Sequence, residues 1–324
     1  MTGWLLRRSL QAALTFAASL IVLFLLMRIT PGDPLARLEG DVPLSPEERS
    51  MLQRRFGLDQ PLGTQLRHYL AGIARGDLGV SIGHYPERVG SLLRSRAAPT
   101  LLLGGTVLAI NFTLGAWLGV LQARHRGRRL DRWLTRLSLA GYSMPSFWLG
   151  LILIALVSLR WRLLPAAQMT DPLLPADAGA LTRLVDVVRH LILPAATLSL
   201  VTIAGTMRYQ RTAMLEVLRL DFVRAASARG LSDGQVLRRH AWRNALFPVL
   251  TLFGLWLPVL VTGSVFVEYV FNWPGLGSLT ADAIAARDYP LLMGTAMLAS
   301  AVVLFGAWLT DVGYIILDPR VRDP

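Results

Sequence analysis

The strongest constraint on this chain is a set of long stretches that contain no charged side chain. Six such windows occur, at 9–27, 97–123, 137–159, 191–207, 244–267 and 289–310. A helix needs roughly 17–25 apolar residues to cross the hydrocarbon core of a bilayer, and all six windows reach that length. Helices buried in a large soluble protein rarely run this far without a charged face. We therefore expect an all-α integral membrane protein with six transmembrane helices.

The composition excludes several kinds of active site. The chain has 324 residues, of which 53% are hydrophobic and 17% charged, too apolar for a disordered protein. All 33 basic residues are arginine, and cysteine is absent. Disulfides, thiolate catalysis and cysteine-bound metals are therefore excluded. A P-loop and a Schiff base both need lysine, so we expect no conventional ATP site in this chain.

The first window also invites comparison with a cleaved signal peptide. Arg7 and Arg8 precede 19 uncharged residues, which is long for the hydrophobic region of a signal peptide. The residues that follow, 28–32, offer no small-x-small cleavage site. We expect a retained first membrane helix.

The orientation follows from the arginines. The net charge is +12, and residues 1–8, 124–136 and 208–243 carry +2, +5 and +5 of it. The positive-inside rule assigns these segments to the cytoplasm, together with both termini. The excess charge therefore fixes topology and faces anionic lipid, and it does not indicate binding to nucleic acid. The expected organisation is an N-terminal membrane helix (1–29), an extracytoplasmic helical region (30–96), a five-helix core (97–317) and a cytoplasmic tail (318–324).

The extracytoplasmic region has the local signals of two short helices. Ser45 fits an N-cap, Pro46 the first helical position and Glu48 the third, which predicts a polar helix to about residue 56. A turn at 57–61 leads into a second amphipathic helix that ends near residue 74. His68 and His84 are isolated, so no metal site is expected here.

The segment 215–243 is too polar to span a membrane and too regular for a loose loop. We predict a short helix over 221–229, ended by Gly230 in a positive-φ conformation. Ser232 and Gln235 then fit a capping box for a second helix, which runs to about residue 244. Residue patterns alone leave two interpretations open: a basic loop that fixes topology, or a connection with a function.

Several motifs are together similar to one known family. Arg224-Ala225-Ala226-x3-Gly230 resembles the EAA loop in permease subunits of ATP-binding cassette (ABC) importers. The other matching motifs are RITPGDP (28–34), GLDQPL (57–62), GDLGVS (76–81), SMPSFW (143–148), HAWRNALFP (240–248), FNWPGLG (271–277), RDYP (287–290) and LDPR (317–320). They follow in order along nearly the whole chain. The chain resembles the B-type permease subunit of the peptide/nickel branch, which carries dipeptides, oligopeptides, glutathione or nickel.

The resemblance implies a type I ABC importer permease fold in a bacterial inner membrane. It implies a second, C-type permease subunit, one or two ATP-binding subunits and an extracytoplasmic binding protein as partners. This chain would then be non-catalytic and hold no cofactor, with ATP and Mg²⁺ on the ATPase subunits. The loop 208–243 would couple to them through Asp221, Arg224, Ala225, Ala226, Gly230 and Leu231.

A few other residues are candidates for function. Trp273, Pro274 and Gly275 fit an outer turn where a binding protein could dock. Glu268 marks either a substrate path or a structural pairing with arginine, because acidic groups near a membrane are costly unless they are used.

Two membrane helices carry further signals. Gly115 and Gly119 form a GxxxG pattern that could pack against the second permease subunit or within this one. Pro258, in a stretch that is more glycine-rich in relatives, is expected to kink the fifth membrane helix.

Two other classes of function compete with an importer subunit. A secondary transporter would carry intramembrane carboxylates, yet the six windows contain neither Asp nor Glu. A membrane metalloenzyme would carry a motif such as HExxH, and this motif does not occur. We expect di- or oligopeptides as the substrate, with a nickel chelate or glutathione as the alternative.

Overall fold

A computed structural model describes residues 2–29, 45–55, 57–246, 249, 252, 254, 256 and 265–317. These residues are mainly α-helical and contain no β-strand, only a single antiparallel bridge between Val80 and Arg88. The helices are α1 (Thr2–Ile29), α2 (Pro46–Arg55), α3 (Leu62–Ala74), α4 (Val89–Ile110), α5 (Ala116–Arg124), α6 (Arg129–Ser143), α7 (Ser146–Leu153), α8 (Ala180–Val217), α9 (Asp221–Ala228), α10 (Asp233–Gln235), α11 (Trp242–Ala245), α12 (Val265–Val270), α13 (Leu276–Ala286) and α14 (Tyr289–Leu317). Wider π-helical turns lie at Asn111–Gly115, Ile154–Arg160 and Val236–Ala241.

Four helical spans in the described chain are long and apolar enough to cross a membrane. They are Leu6–Ile29, Val89–Arg124, Ala180–Val217 and Tyr289–Val312. They correspond to the first, second, fourth and sixth apolar windows. Most of the fifth window, including Pro258, lies outside the described residues.

The third window does not form the single straight helix that we expected. It divides into Arg129–Ser143 and Ser146–Arg160, which meet at 102° and form a fifth span only if the pair is counted as one. Met144, between them, has an extended backbone with ψ 129°. The cause is Pro145, because the proline ring disfavours the α conformation of the residue before it.

Helix α8 is the centre of the bundle. Its 38 residues extend about 57 Å at 1.5 Å per residue, and it begins well before the apolar window 191–207. Gly115 and Gly119 face it: a Cβ on Gly119 would lie 2.6 Å from the carbonyl oxygen of Met207. The GxxxG pattern therefore serves close helix packing within this subunit, which decides between the two alternatives left open by the sequence.

The short helices of the region 45–74 form as predicted. The Ser45 N–H donates to Glu48 Oε2 at 2.9 Å, and the Glu48 N–H donates to Ser45 Oγ at 3.2 Å, which completes the capping box. Hydrogen bonds from the backbone and side chain of Ser45 lower the pKa of Glu48. Helix α3 then covers Leu62–Ala74, in agreement with the predicted second helix.

A buried carboxylate, that of Asp288, joins the segment 79–88 to the last long helix. Asp288 accepts hydrogen bonds from the Ser81 hydroxyl, from the Gly83 N–H at 2.9 Å and from the Leu291 N–H at 3.1 Å. It thereby caps the start of α14 and holds the segment 79–88 against it.

Candidate functional site

The coupling segment, residues 217–246, has the predicted helix–glycine–helix form. Helix α8 ends at Val217, and α9 covers Asp221–Ala228 after a short turn. Gly230 follows with φ +83°, the left-handed conformation expected of the residue that ends this helix. Most L-residues with a Cβ are strained at this φ, so the turn favours glycine.

The second half of the coupling segment is helical but irregular. The Ser232 N–H donates to Gln235 Oε1 at 3.1 Å, which is one of the two bonds of a capping box. The Ser232 hydroxyl donates to the same oxygen at 3.1 Å, and the Gln235 N–H donates to the Ser232 carbonyl at 2.8 Å rather than to the hydroxyl, so the second capping-box bond is replaced. A π-helical turn over Val236–Ala241 widens the middle of the predicted helix.

One face of α9 packs onto the chain's own core. Val223 and Ala226 are buried, at 4% and 0% exposure, in a hydrophobic cluster that also contains Val236 and Ala241 of the π-helical turn, together with residues of α8 and α5. The π-helical turn is the element that α9 contacts most. Leu231 is partly buried on the same cluster. The sequence analysis named Ala226 among the residues that couple to the ATPase subunits; its small side chain lies inside this subunit, at 0% exposure.

The opposite face of α9 is turned away from the chain. Asp221, Phe222, Arg224 and Ala225 are all exposed. The Arg224 side chain is 70% exposed, and among the described residues its one ion pair is a 3.7 Å contact with Asp221, whose side chain is 99% exposed. Such an exposed pair contributes little to stability. This outward face is therefore available to another protein.

A charged clamp supports the base of the coupling segment. Arg211 of α8 donates from Nε and Nη2 to the two carboxylate oxygens of Asp131, each at 2.9 Å, and the Gly127 N–H adds a third bond at 2.9 Å. The hydrogen bond from Arg211 holds the pKa of Asp131 below its usual value. Sequence reasoning missed this pair. The available signal was that Asp131 is the lone acid among six arginines in 124–136.

Three of the candidate outer residues, Glu268, Trp273 and Gly275, form a largely buried cluster with Pro99, Thr100 and Ser278, here called the outer junction. Glu268 has 0% exposure and accepts hydrogen bonds from Thr100 Oγ1 at 3.1 Å and the Ser278 N–H at 2.9 Å. Its carboxylate lies at the N-terminus of α13, where the helix dipole favours a negative charge. No described arginine forms an ion pair with it.

The remaining residues of the predicted docking turn are also structural. Trp273 is fully buried and donates from Nε1 to the Pro99 carbonyl at 3.0 Å. A Cβ on Gly275 would overlap the Glu268 carboxylate, so only glycine fits there. Trp273 and Gly275 lie in the interior of this chain and Pro274 is partly exposed, so docking of a binding protein at this turn stays a prediction that would involve Pro274.

A polar cavity of about 650 Å³ opens beside the outer junction. Its lining includes Arg96, Gln168, Asn272 and Asp282. Within the described part of the chain, no group of three His, Asp or Glu side chains is arranged to hold a metal ion. The cavity therefore offers hydrogen bonds and single charges rather than a metal centre.

Comparison with known proteins gives one consistent family. Residues 112–323 match the binding-protein-dependent transport system inner membrane components, and residues 1–90 match the N-terminal region of such membrane components. The chain is 36% identical over 338 residues to the dipeptide transport system permease protein of Escherichia coli (strain K12), with 99% of both chains covered. It is 36% identical over 324 residues to the oligopeptide transport system permease protein of Bacillus subtilis (strain 168), covering 99% of this chain and 100% of the relative. It is 38% identical over 337 residues to the di/tripeptide transport system permease protein of Pseudomonas aeruginosa (strain UCBPP-PA14), with 99% of both covered.

Proposed function

Because this chain belongs to the family of binding-protein-dependent transport system inner membrane components, we propose that it is one of two permease subunits in an ATP-driven peptide importer. Family membership and the apolar helices make it a multi-pass inner membrane protein and a transport component rather than a catalyst. Importers of this family work with ATPase and substrate-binding partners. Our proposal adds a second, C-type permease subunit that completes the translocation path, with one or two chains supplying the ATPase.

We further propose six membrane crossings, with both termini in the cytoplasm. The distribution of arginine supports this orientation. Residues 30–96 would then lie outside, the five-helix core 97–317 would form half of the path, and 318–324 would end in the cytoplasm. No cofactor is proposed for this chain; ATP and Mg²⁺ belong to the ATPase subunits.

The observation that carries the mechanism is the two-sided packing of α9. Its inner face is buried against the π-helical turn Val236–Ala241, in a hydrophobic cluster shared with α8 and α5, while its outer face presents Phe222, Arg224 and Ala225. An ATPase groove that moves this outer face would move the helices beneath it, because the buried contacts and the Asp131–Arg211 clamp make the base rigid. Closure of the ATPase dimer would thus switch the permease between inward-open and outward-open states.

Gly230→Pro in the assembled importer tests this coupling. Proline fixes φ near −65° and cannot adopt the +83° of Gly230, so the turn must change. We expect the stimulation of ATP hydrolysis by loaded binding protein to be lost, together with transport into proteoliposomes. Gly230→Asn is the matched control, since asparagine tolerates the left-handed conformation. Unchanged coupling in the proline variant would contradict the proposal.

For the substrate, we propose di- or oligopeptides. The support is that the relatives are named for dipeptide, oligopeptide and di/tripeptide transport. Those names do not favour nickel chelates or glutathione. Uptake of a labelled dipeptide by the reconstituted importer with its own binding protein tests the assignment, and uptake of a nickel chelate or glutathione in its place would overturn it.

A further inference from the structure

A second cavity, of about 500 Å³, lies on the side of the molecule away from the outer junction, between α5 and the π-helical turn Val236–Ala241 with α11. We call it the inner groove. Two tryptophans, two arginines and aliphatic side chains line it, among them Trp117, Leu121, Arg124, Leu237, Arg238 and Trp242. No residue of the clamp or of the outward face of α9 belongs to it.

The lining of the inner groove is mainly apolar, with Arg124 and Arg238 as its charged side chains. Arg124 is the last residue of α5, and Trp117 precedes it by seven residues, which is about 10 Å along a helix. Trp117 lies within the uncharged window 97–123 and is 55% exposed. The groove therefore starts beside charged side chains and extends into the depth expected for hydrocarbon.

The two arginines of the inner groove have no acidic partner among the described residues. Among the described residues neither Arg124 nor Arg238 forms an ion pair, and Arg238 makes only a long 3.4 Å hydrogen bond from Nε to the Gly234 carbonyl. Both side chains are exposed. Guanidinium groups bind phosphate by paired hydrogen bonds and keep their charge at any physiological pH.

We propose that the inner groove binds an anionic phospholipid. The phosphate pairs with Arg124 and Arg238, and one acyl chain lies along Trp117, Leu121 and Leu237. Basic pockets between membrane helices on the cytoplasmic side are suited to anionic head groups, and tryptophan is typical of the interface. A water-soluble ATPase subunit would not reach to the depth of Trp117. In the orientation proposed above, the lipid belongs to the inner leaflet.

Native mass spectrometry of the purified full-length chain tests the proposal. Phosphatidylglycerol and phosphatidylcholine with the same acyl chains are titrated against wild type and Arg124→Gln/Arg238→Gln. We expect wild type to prefer phosphatidylglycerol and the double variant to bind it roughly 25-fold more weakly, about fivefold for each arginine. Arg132→Gln/Arg136→Gln removes two exposed arginines of α6 that do not line the groove, and this control is expected to bind as wild type does.

Three results would overturn the site. Equal binding of the two lipids would remove the role of the phosphate charge. An equal loss in the Arg132/Arg136 control would assign the attraction to the general charge of that face. Release of the bound phosphatidylglycerol when the second permease subunit assembles would show that a protein, and not a lipid, occupies the inner groove in the importer.

Discussion

The outer junction and the coupling segment each contain a short helix next to a glycine turn, yet their polar groups find partners in different places. At the outer junction, Glu268, Thr100 and Trp273 all bond within the chain, and Glu268 and Trp273 are fully buried. On α9, Arg224 and Asp221 point outward and contact little besides each other. The comparison teaches that the outer junction maintains the fold, whereas the coupling segment leaves one face for a partner. The following predictions concern the stability of the full-length chain in detergent and run from the largest expected effect to the smallest.

Trp273→Ala should have the largest effect. It leaves a cavity in the core and removes the hydrogen bond to the Pro99 carbonyl, which together are worth about 3–5 kcal/mol of unfolding free energy. Trp148→Ala is the matched control, because Trp148 is 47% exposed, and it should change stability little. Thermal unfolding followed by size-exclusion chromatography measures both. Equal stability of the two variants would break the distinction between a structural outer junction and an exposed surface.

Asp131→Asn should have the next largest effect. It breaks the paired hydrogen bonds with Arg211, and hydrogen bonds to a charged group contribute about 1.5–3 kcal/mol. Asp221→Asn makes the same substitution at an exposed carboxylate and should be neutral. Chemical unfolding compares the two. If Asp221→Asn destabilised the chain as much as Asp131→Asn does, the Asp131–Arg211 clamp would not be the specific support of the coupling segment.

The clamp should also give the chain a pH dependence. Arg211 lowers the pKa of Asp131 in the folded state relative to the unfolded value of about 3.9. The stabilisation is therefore complete above that value and is lost as the pH falls through the lower, folded-state pKa. The difference in melting temperature between wild type and Asp131→Asn should narrow below about pH 4. A difference that stays constant to lower pH would contradict the assignment.

Gly230→Ala should have a smaller effect, about 1–2 kcal/mol, because an L-residue at φ +83° is strained. There is no steric contribution, since a Cβ at this position meets no atom within 4 Å. Gly105→Ala is the control, as Gly105 also has open space around it but lies in a regular helix. Differential scanning fluorimetry should show a loss for Gly230→Ala alone; a similar loss at Gly105 would show that the positive φ of Gly230 is not the cause.

Elements set by neighbouring residues were predictable from the sequence, and contacts between distant residues were not. The capping box of Ser45 and Glu48 and the turn at Gly230 each depend on a few consecutive residues. Thr100 and Glu268 are 168 positions apart, and Asp131 and Arg211 are 80 apart. A single sequence carries no local signal that residues so far apart contact each other. For that reason the sequence left the role of Glu268 open between a substrate path and a pairing with arginine, and it placed Trp273 in an outer turn.

The break in the third apolar window has a different origin. Its composition satisfies the requirement for a spanning helix, and this requirement takes no account of residue order. Pro145 carried the local signal that Met144 would leave the helix. The 102° bend shows that, at this position, backbone sterics outweigh apolar composition.

The most direct test of the central claim compares two neighbouring alanines of α9. Ala225 is exposed and Ala226 is 0% exposed, so tryptophan at each position probes the two faces separately. Ala225→Trp should change stability by no more than about 0.5 kcal/mol and yet abolish the stimulation of ATP hydrolysis in the assembled importer. Ala226→Trp should instead destabilise the isolated chain by about 1–3 kcal/mol through overpacking. Wild-type stimulation in Ala225→Trp, or wild-type stability in Ala226→Trp, would contradict the division of α9 into an outward docking face and an inward structural face.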